Sequence, residues 1–405
     1  MSEKYLKEYE ASYTPKLVME EASRCLLCHD APCSKACPAG TDPAKFIRSV
    51  RFKNFKGAAE TIRMNNVLGG VCARVCPTEK YCELACSRCG IDKPINIGGI
   101  QKFVTDFEEA TKMDILEKKA PNGKKIAVVG SGPSGLASAA YLAMEGFEVQ
   151  IFERDQKPGG FLRYGIPEYR LPSNVVDNEI KKITKLGVKI ECNHQVEDLN
   201  ALKSQFDAVI LAIGHSKGKV LELFQNKRFV KTAVDFLHDV KKKKGNVKLP
   251  DNVLVIGGGD VAMDVVTTLK LLGVKQVSDV VYETFDEFKA SKKELLTAQA
   301  EKVSIMDGFI PVALSGKTVK FKHRFVDTEL KVKADLIILA VGQFTEAWQF
   351  DLEVNKLNEV VAKANHVNSN LFIAGDISEG DKTVVHAVRS GKEVALAVKN
   401  YLEVK

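Results

Sequence analysis

Nine of the ten cysteines lie in the first quarter of the chain, in two closely spaced sets. The first set is Cys25, Cys28, Cys33 and Cys37, and the second is Cys72, Cys76, Cys82 and Cys86, with Cys89 just beyond it. Cysteine thiolates are the usual ligands of iron–sulfur clusters, and cysteines two residues apart can reach two irons of one cubane. The spacing therefore predicts iron–sulfur chemistry in this part of the chain.

Three other uses of these cysteines compete with a cluster. A disulfide framework belongs to small secreted domains, whereas the remaining 316 residues here contain only Cys192. Zinc favours two cysteine pairs per tetrahedral site, which the longer spacings fit less well. Cys25 to His29 also reads Cys-x-x-Cys-His, a haem-attachment string, but it occurs once. We expect metal clusters in a reducing cytoplasm.

A glycine-rich motif follows the first predicted strand, IAVVG. Gly130, Gly132 and Gly135 form G-x-G-x-x-G, with Pro133 inside the motif and a predicted helix after it. The glycines allow a tight turn, a close approach of backbone amides to a pyrophosphate, and close packing of helix on sheet. Glu153 ends the next predicted strand, where an acid accepts a ribose hydroxyl. The motif predicts a dinucleotide site.

A second motif of this kind follows the strand VLVIGGG. It contains Gly257 and Gly259, then Asp260, with Ala262 in the place of the third glycine. The strand after the helix ends in VVYE, so that Glu283 is expected to face an adenosine ribose. An acid there accepts the 2′-hydroxyl and repels a 2′-phosphate. The second motif therefore predicts a site for NAD(H).

The order of the predicted elements indicates several domains. From Lys124 the chain alternates apolar strands with amphipathic helices, which is typical of parallel α/β sheets. Before that point the pattern is helical, with apolar residues at helical spacing over 43–64. We expect an α/β fold in which a helical double iron–sulfur domain precedes two Rossmann-like domains. The predicted division is 1–120 for iron–sulfur, 121–217 and 346–405 for two halves of an FAD domain, and 218–345 for NAD.

The composition is that of a globular protein. The 405 residues are 45% hydrophobic and 27% charged, with a formal net charge of +7. No apolar run approaches the roughly 20 residues of a membrane span. The lysine run Lys241–Lys244 is interpreted as a solvated loop, because no aromatic or arginine residue interleaves with it. We therefore expect no nucleic-acid or membrane partner.

Two dinucleotide motifs and a downstream LFIAGD resemble the two-dinucleotide-binding flavoproteins. In that group the first motif binds FAD and the second binds a nicotinamide nucleotide. The resemblance implies that Gly375 and Asp376 of LFIAGD reach the ribityl-phosphate region of the flavin. The disulfide-reductase branch has a redox Cys-x-x-Cys, and this sequence has none after residue 120.

A closer resemblance rests on longer strings. CLLCHDAPCSKACP, VCARVCPTEKYCELAC, PINIGGIQKFV, GGGDVAMD, DEFKAS and AGDISEGDKTVVHAV are similar to sequences of dihydropyrimidine dehydrogenases. Together they resemble most the NAD-dependent flavoprotein subunits of the bacterial two-subunit enzymes. The small subunit of glutamate synthase shares the N-terminal domain and the cofactor arguments, and it remains the alternative.

The resemblance implies two 4Fe–4S clusters with crossed ligation. One would be held by Cys25, Cys28, Cys33 and Cys86, and the other by Cys37, Cys76, Cys82 and Gln101. Cys72 and Cys89 are left as non-ligands, although either could replace Gln101 on spacing alone. The resemblance further implies cofactor contacts at Gly160, at Arg170 near the flavin, and at Ala340 and Gly342 near the nicotinamide nucleotide.

These cofactors imply an electron-input function. A nicotinamide gives up a hydride and a cluster accepts single electrons, so that a flavin must convert between them. The resemblance implies a separate, FMN-containing catalytic subunit that reduces uracil or thymine, and no catalytic acid or base is expected in this chain. A zinc-stapled, nucleotide-sensing interaction module is the alternative from a different class, and metal and sulfide analysis separates the two.

Overall fold

The computed structural model describes residues 3–357 and 359–403, and the chain divides into two compact units. The larger unit comprises Glu10–Arg163, Ser173–His215 and Thr345–Lys405. The smaller unit comprises Met1–Tyr9, Tyr164–Pro172 and Ser216–Phe344. Both contain parallel sheets with helices, which confirms the α/β fold class; the division into four domains stays a prediction.

Helices dominate the first third of the chain and alternate with strands afterwards. In chain order the α-helices are α1 Glu3–Leu6, α2 Pro15–Ser23, α3 Pro32–Lys35, α4 Pro43–Arg51, α5 Phe55–Asn65, α6 Gly69–Val75, α7 Ile97–Ala110, α8 Pro133–Met144, α9 Phe161–Tyr164, α10 Ser173–Lys185, α11 Leu199–Gln205, α12 Ala233–Lys242, α13 Asp260–Leu271, α14 Lys292–Ala300 and α15 Val384–Glu403. Among the described residues, none of them has the length and apolar character of a membrane span.

The strands lie after residue 124. In chain order they are β1 Lys125–Val129, β2 Glu148–Phe152, β3 Lys189–Glu191, β4 Ala208–Leu211, β5 Lys217–Gly218, β6 Val230–Thr232, β7 Asn252–Ile256, β8 Gln276–Val280, β9 Ser304–Met306, β10 Phe309–Ser315, β11 Thr318–His323, β12 Glu329–Lys333, β13 Leu336–Leu339, β14 Gln343–Phe344, β15 His366–Asn368 and β16 Leu371–Ile373.

The larger unit contains a six-stranded sheet in the order β15-β16-β4-β1-β2-β3. All neighbours are parallel except β15 and β16. β16 pairs with β4 in the register Phe372↔Ile210, so that a strand from the end of the chain completes the sheet begun by β1. The carboxyl ends of β1, β4 and β16 therefore meet at one edge, next to the start of α8.

The smaller unit repeats this plan with a second sheet. Its order is β6-β13-β7-β8-β9, and every pair is parallel. β7 leads into α13 as β1 leads into α8. β10, β11 and β12 form a separate antiparallel sheet.

The cysteine-rich segment consists of short capped helices, and the stretch 43–64 is not one helix as the apolar spacing suggested. α4 ends at Arg51 and α5 begins at Phe55. Between them Lys53 adopts a left-handed conformation (φ 58°), and the Asn54 side chain accepts a hydrogen bond from the Gly57 N–H (2.9 Å). Phe52, one of the apolar residues of this stretch, is 71% exposed.

The interpretation of the lysine run as a loop is wrong for its first members. Lys241 is buried near the end of α12, where its Nζ lies 2.7 Å from a carboxylate oxygen of Glu168. It also donates a hydrogen bond to the Leu171 carbonyl (3.1 Å). A local sequence pattern did not reveal this partner, because Glu168 lies 73 residues away. Lys243 and Lys244 follow the helix and are exposed.

A buried ion network in the larger unit joins the cysteine-rich helices to α10. Arg63 is 1% exposed; its Nη2 lies 2.7 Å from Glu108 and its Nη1 lies 2.5 Å from Glu179. The same guanidinium donates to the Val67 carbonyl (2.8 Å), and Glu179 accepts the Gly70 N–H (2.7 Å). The network therefore fixes α5, α7, α10 and the start of α6 relative to one another.

We expect Arg63→Met to lower the free energy of unfolding of the protein by about 3–5 kcal/mol, since it leaves two buried carboxylates without their cation. Urea unfolding followed by circular dichroism measures this. Arg48→Met, on the exposed side of α4, is the control and should stay within about 0.5 kcal/mol of wild type. Equal stability of the two variants would show that the network does not hold these helices.

Candidate functional site

Four of the predicted ligand cysteines line one cavity in the larger unit. Cys25, Cys28, Cys33 and Cys86 surround it, with apolar walls from Ala31, Ala44, Ile47, Ile95 and Ile97. In the described part of the chain, no three Cys, His, Asp or Glu side chains converge as ligands of a single metal ion do. The four sulfurs instead border a common space, and a cubane, which is larger than one ion, fits that donor set.

A second group of thiols lies close by. Cys37, Cys72 and Cys82 lie close enough to Cys76 to help raise the pKa of its thiol, and Cys37 does the same for Cys72 and Cys82, so these four thiols form one group. Burial raises the pKa of Cys72 to about 12 and raises the pKa values of Cys76 and Cys82. Since all of the described cysteines are free thiols, each of these can give up a proton to bind a metal.

Gln101 and Cys72 are the two candidates considered next for a fourth ligand beside the second group. The Gln101 side-chain nitrogen donates to the Gly69 carbonyl (2.8 Å), which leaves the amide oxygen as its free donor atom for a metal. Cys72 is 4% exposed and is hydrogen-bonded by the Asn66 side chain. Cys89 is exposed and donates to the Glu83 carbonyl (3.4 Å). The structure thus brings Cys72 to this group, which spacing alone had left undecided.

The first glycine motif has the geometry of a pyrophosphate loop. Gly130 has φ 103°, and a Cβ there would lie 2.5 Å from the Ala212 carbonyl oxygen of the neighbouring strand end. A Cβ on Gly135 would lie 2.0 Å from the Gly130 carbonyl oxygen. Gly132 caps α8 and Pro133 begins it. The loop therefore presents the amino end of α8 with room for a phosphate.

Glu153 lies just beyond β2 and holds this loop together. Its carboxylate accepts hydrogen bonds from the N–H (2.9 Å) and the hydroxyl of Ser131, and from the Asp155 N–H (2.8 Å). The Ser131 hydroxyl in turn accepts the Gly159 N–H (2.9 Å). Gly160 has φ 51°, and a Cβ there would lie 2.9 Å from the Gly132 Cα. Ser131 was not identified from the sequence, because a serine inside a glycine motif carries no signal of its own.

Gly375 and Asp376 lie at the same end of α8. Gly375 has φ 81°, and a Cβ there would lie 2.3 Å from the Ser134 hydroxyl oxygen. Burial raises the pKa of Asp376 to about 6, and Lys382 opposes the shift. The predicted FAD residues of the first motif, of Gly160 and of LFIAGD are therefore brought together in the larger unit.

The second glycine motif forms a similar loop in the smaller unit. Gly257 has φ 152°, and a Cβ there would lie 2.4 Å from the Ala340 carbonyl oxygen. Gly259 caps α13, which begins at Asp260, and the Asp260 carboxylate accepts the Ser291 N–H (2.6 Å). Ala262 is fully buried in the first turn. Ala340 thus abuts the loop, and its predicted contact with the nicotinamide nucleotide stays a prediction.

Gly342 lies just after β13 and has φ 107°. Its carbonyl accepts the Lys219 N–H (2.9 Å). In sequence it lies two residues after Ala340, whose carbonyl abuts the second loop.

Glu283 lies three residues beyond the end of β8, beside the second loop. A Cβ on Gly258 would lie 3.0 Å from its Oε2 atom, and its Oε1 lies 2.8 Å from Lys289 Nζ. The guanidinium carbon of Arg324 lies 4.0 Å from the ring centroid of Tyr282, and Arg324 donates to the Tyr282 carbonyl (3.1 Å). Sequence reasoning missed Arg324, because it lies more than 40 residues away in the β11–β12 turn.

Arg170 is a buried ion-pair residue of the smaller unit. Its Nη1 lies 2.7 Å from Asp264 Oδ2, and its Nε lies 2.9 Å from Glu294 Oε1. Burial raises the pKa of Asp264 to about 7, and Arg170 opposes the shift. The predicted flavin contact of Arg170 stays a prediction.

Comparison with known families and proteins gives matches along nearly the whole chain. Residues 2–113 match the family described as dihydropyrimidine dehydrogenase domain II, 4Fe–4S cluster. Residues 124–391 match the pyridine nucleotide-disulphide oxidoreductase family. The chain is 51% identical over 404 residues to the NAD-dependent dihydropyrimidine dehydrogenase subunit PreT of Escherichia coli K12, covering 98% of each chain. The PreT subunit of Salmonella typhimurium is 50% identical with the same coverage.

Solved structures share the fold of the two sheets. FprA, an oxidoreductase from Mycobacterium tuberculosis, matches 69% of this chain and 85% of its own, with a TM-score of 0.60 and 16% identity. Thioredoxin reductase from T. acidophilum matches 69% of this chain and 99% of its own, with a TM-score of 0.57 and 17% identity. At these identities the likeness shows the fold alone, that of two-dinucleotide-binding flavoproteins.

Proposed function

Because the chain belongs to the family of NAD-dependent dihydropyrimidine dehydrogenase subunits, we propose that it is the electron-input subunit. The chain is an oxidoreductase of the 4Fe–4S, FAD and NAD(H) class. It takes electrons from NADH and delivers them to an FMN-containing partner subunit in the cytoplasm. That partner reduces the C5–C6 double bond of uracil or thymine, so that one pyrimidine, one NADH and one proton give the 5,6-dihydropyrimidine and NAD⁺.

One observation carries this proposal. The larger unit holds both a cavity bordered by four thiols and a glycine loop at the amino end of α8. FAD, when bound, converts the hydride of a nicotinamide into single electrons, which are what iron–sulfur clusters accept. An electron-input subunit requires cluster ligands and a flavin site close together, and this compact unit contains both the thiol cavity and the glycine loop.

The residues of the first loop have binding roles in this proposal. The N–H groups at the start of α8 bind the FAD pyrophosphate. The close backbone approaches at Gly130 and Gly135 keep that end of the helix against the sheet. Glu153 accepts a ribose hydroxyl while its other hydrogen bonds hold the loop in shape. Gly375 brings its backbone over α8, and Asp376 faces the ribityl chain. None of these residues moves a proton during hydride transfer.

The function is tested by adding a partner. The purified chain should oxidise NADH with an artificial acceptor such as ferricyanide, but not with uracil or thymine alone. We expect pyrimidine-dependent NADH oxidation only after the FMN-containing subunit is added, measured at 340 nm together with dihydropyrimidine formation. Pyrimidine reduction by the isolated chain would contradict the division of labour, and a glutamate-forming activity with a large amidotransferase subunit would replace the proposed substrate.

For the metal ligands we propose Cys25, Cys28, Cys33 and Cys86 for one cluster, and Cys37, Cys76, Cys82 and Gln101 for the other. The cavity supports the first set, and the Gln101 amide, oriented by Gly69, supports its oxygen as the fourth donor of the second set. Cys72 stays protonated in this proposal, because burial raises the pKa of its thiol more than the hydrogen bond from Asn66 lowers it.

Serine variants test this assignment. Cys37→Ser should lose about half of the iron, because the second cluster loses one of its four proposed ligands. It should keep FAD, because the glycine loop at the start of α8 contains no cysteine. Cys72→Ser is the matched control at a neighbouring buried thiol and should retain all the iron. Gln101→Ala should shift the reduction potential of one cluster or make it labile. Iron loss in Cys72→Ser with none in Gln101→Ala would make Cys72 the ligand instead.

The coenzyme preference rests on Glu283. Its carboxylate lies beside the second loop, where it accepts the ribose hydroxyls of NADH and repels a 2′-phosphate. We expect kcat/KM to favour NADH over NADPH by about a hundredfold or more, which corresponds to roughly 3 kcal/mol. Tyr282→Arg with Glu283→Lys should shift this ratio towards NADPH. Since Arg324 packs on Tyr282, Arg324→Ala is the control for charge near the site. A preference of the wild-type protein for NADPH would refute the assignment.

A further inference from the structure

A basic face lies on the outside of α4 and in the turn that follows it. We define this basic face by Lys45, Arg48, Arg51, Phe52 and Lys53. Lys45, Arg48, Phe52 and Lys53 are exposed, and Arg51 is half-buried. In residues 3–357 and 359–403, no carboxylate forms an ion pair with any of its four cations. The face therefore presents uncompensated positive charge around one exposed aromatic ring.

The helix that carries the basic face also borders the thiol cavity. Ala44 and Ile47 of α4 line the cavity together with Cys25 and Cys33. The basic face thus lies on a helix that lines the site proposed for the first cluster. Electrons tunnel efficiently only over short distances, so a partner bound at this face would be near that cluster.

We propose that the basic face docks the electron-accepting partner subunit through an acidic surface of that partner. Four cations attract such a surface over about a Debye length and orient the encounter, whereas Phe52 supplies an apolar contact at the centre. Arginine and aromatic residues are the types that dominate protein interfaces energetically. This inference rests on the proposed function, because that function supplies the partner.

The test uses the cofactor-loaded chain titrated with the purified partner subunit in NADH-dependent uracil reduction. We expect Lys45→Glu with Arg48→Glu to raise the half-saturating partner concentration about tenfold or more at low ionic strength. The difference should shrink as salt screens the charges. Phe52→Ala should raise the half-saturating partner concentration at high salt as well, because an apolar contact is not screened by salt. NADH oxidation with a neutral benzoquinone, which needs no docking, should be unchanged in both variants.

The matched control reverses two exposed lysines elsewhere. Lys242→Glu with Lys243→Glu changes the net charge of the chain by the same amount, and it should leave partner saturation at the wild-type value. If Lys45→Glu with Arg48→Glu has the same half-saturating partner concentration as wild type, the basic face is not the docking site. The same conclusion follows if the lysine control raises that concentration as much as the double variant does.

The proposed function and the basic face fail differently. If the wild-type chain and the partner associate but do not reduce uracil, the proposed function is wrong. The affinity of the partner subunit for each variant of this chain then still tests the basic face. If wild type shows no association with the partner, both are overturned.

Discussion

The buried charge of Arg63 is the constraint on which the cofactor-binding part of the larger unit depends. It is paired with Glu108 and Glu179, which come from elements 45 and 116 residues away in sequence. Glu179 also accepts the Gly70 N–H, so that the same network reaches the turn of chain that carries Cys72. Apolar contacts would hold these helices with less directional precision. The network therefore couples the position of the thiols to that of α10.

The thiols are also part of the apolar core, and this ties folding to metal binding. Cys82 belongs to the same buried cluster as Phe46, Ile62 and Val104, and the cavity thiols Cys25, Cys33 and Cys86 pack against its edge. A buried thiolate without a metal would be costly, which is why burial raises the pKa values of several of these groups. The segment thus favours protonated thiols until a metal replaces the protons.

The features that sequence predicted are those with local signatures. The turn at Gly130, the start of α8 and the equivalents at Gly257 depend on neighbouring residues and on the regular periods of strands and helices. The pairing of Arg63, the burial of Lys241 and the packing of Arg324 on Tyr282 depend on partners far along the chain, and no single-sequence pattern carries that information. The break at Lys53 was missed for another reason: the apolar spacing continues across it, and only the Asn54 cap marks the new helix.

The two glycine loops share a fold but differ in how their acids are held, and the difference matches the two kinds of cofactor proposed. Glu153 is 5% exposed and bonded to backbone and hydroxyl groups of its own loops. Such a carboxylate is fixed before any ligand arrives, which suits a flavin that stays bound. Glu283 is instead paired with Lys289, whose side chain is 76% exposed. A pair with one largely exposed partner is weak and opens at little cost. In the proposed assignment, Glu283 would exchange Lys289 for a ribose each time a coenzyme binds and leaves.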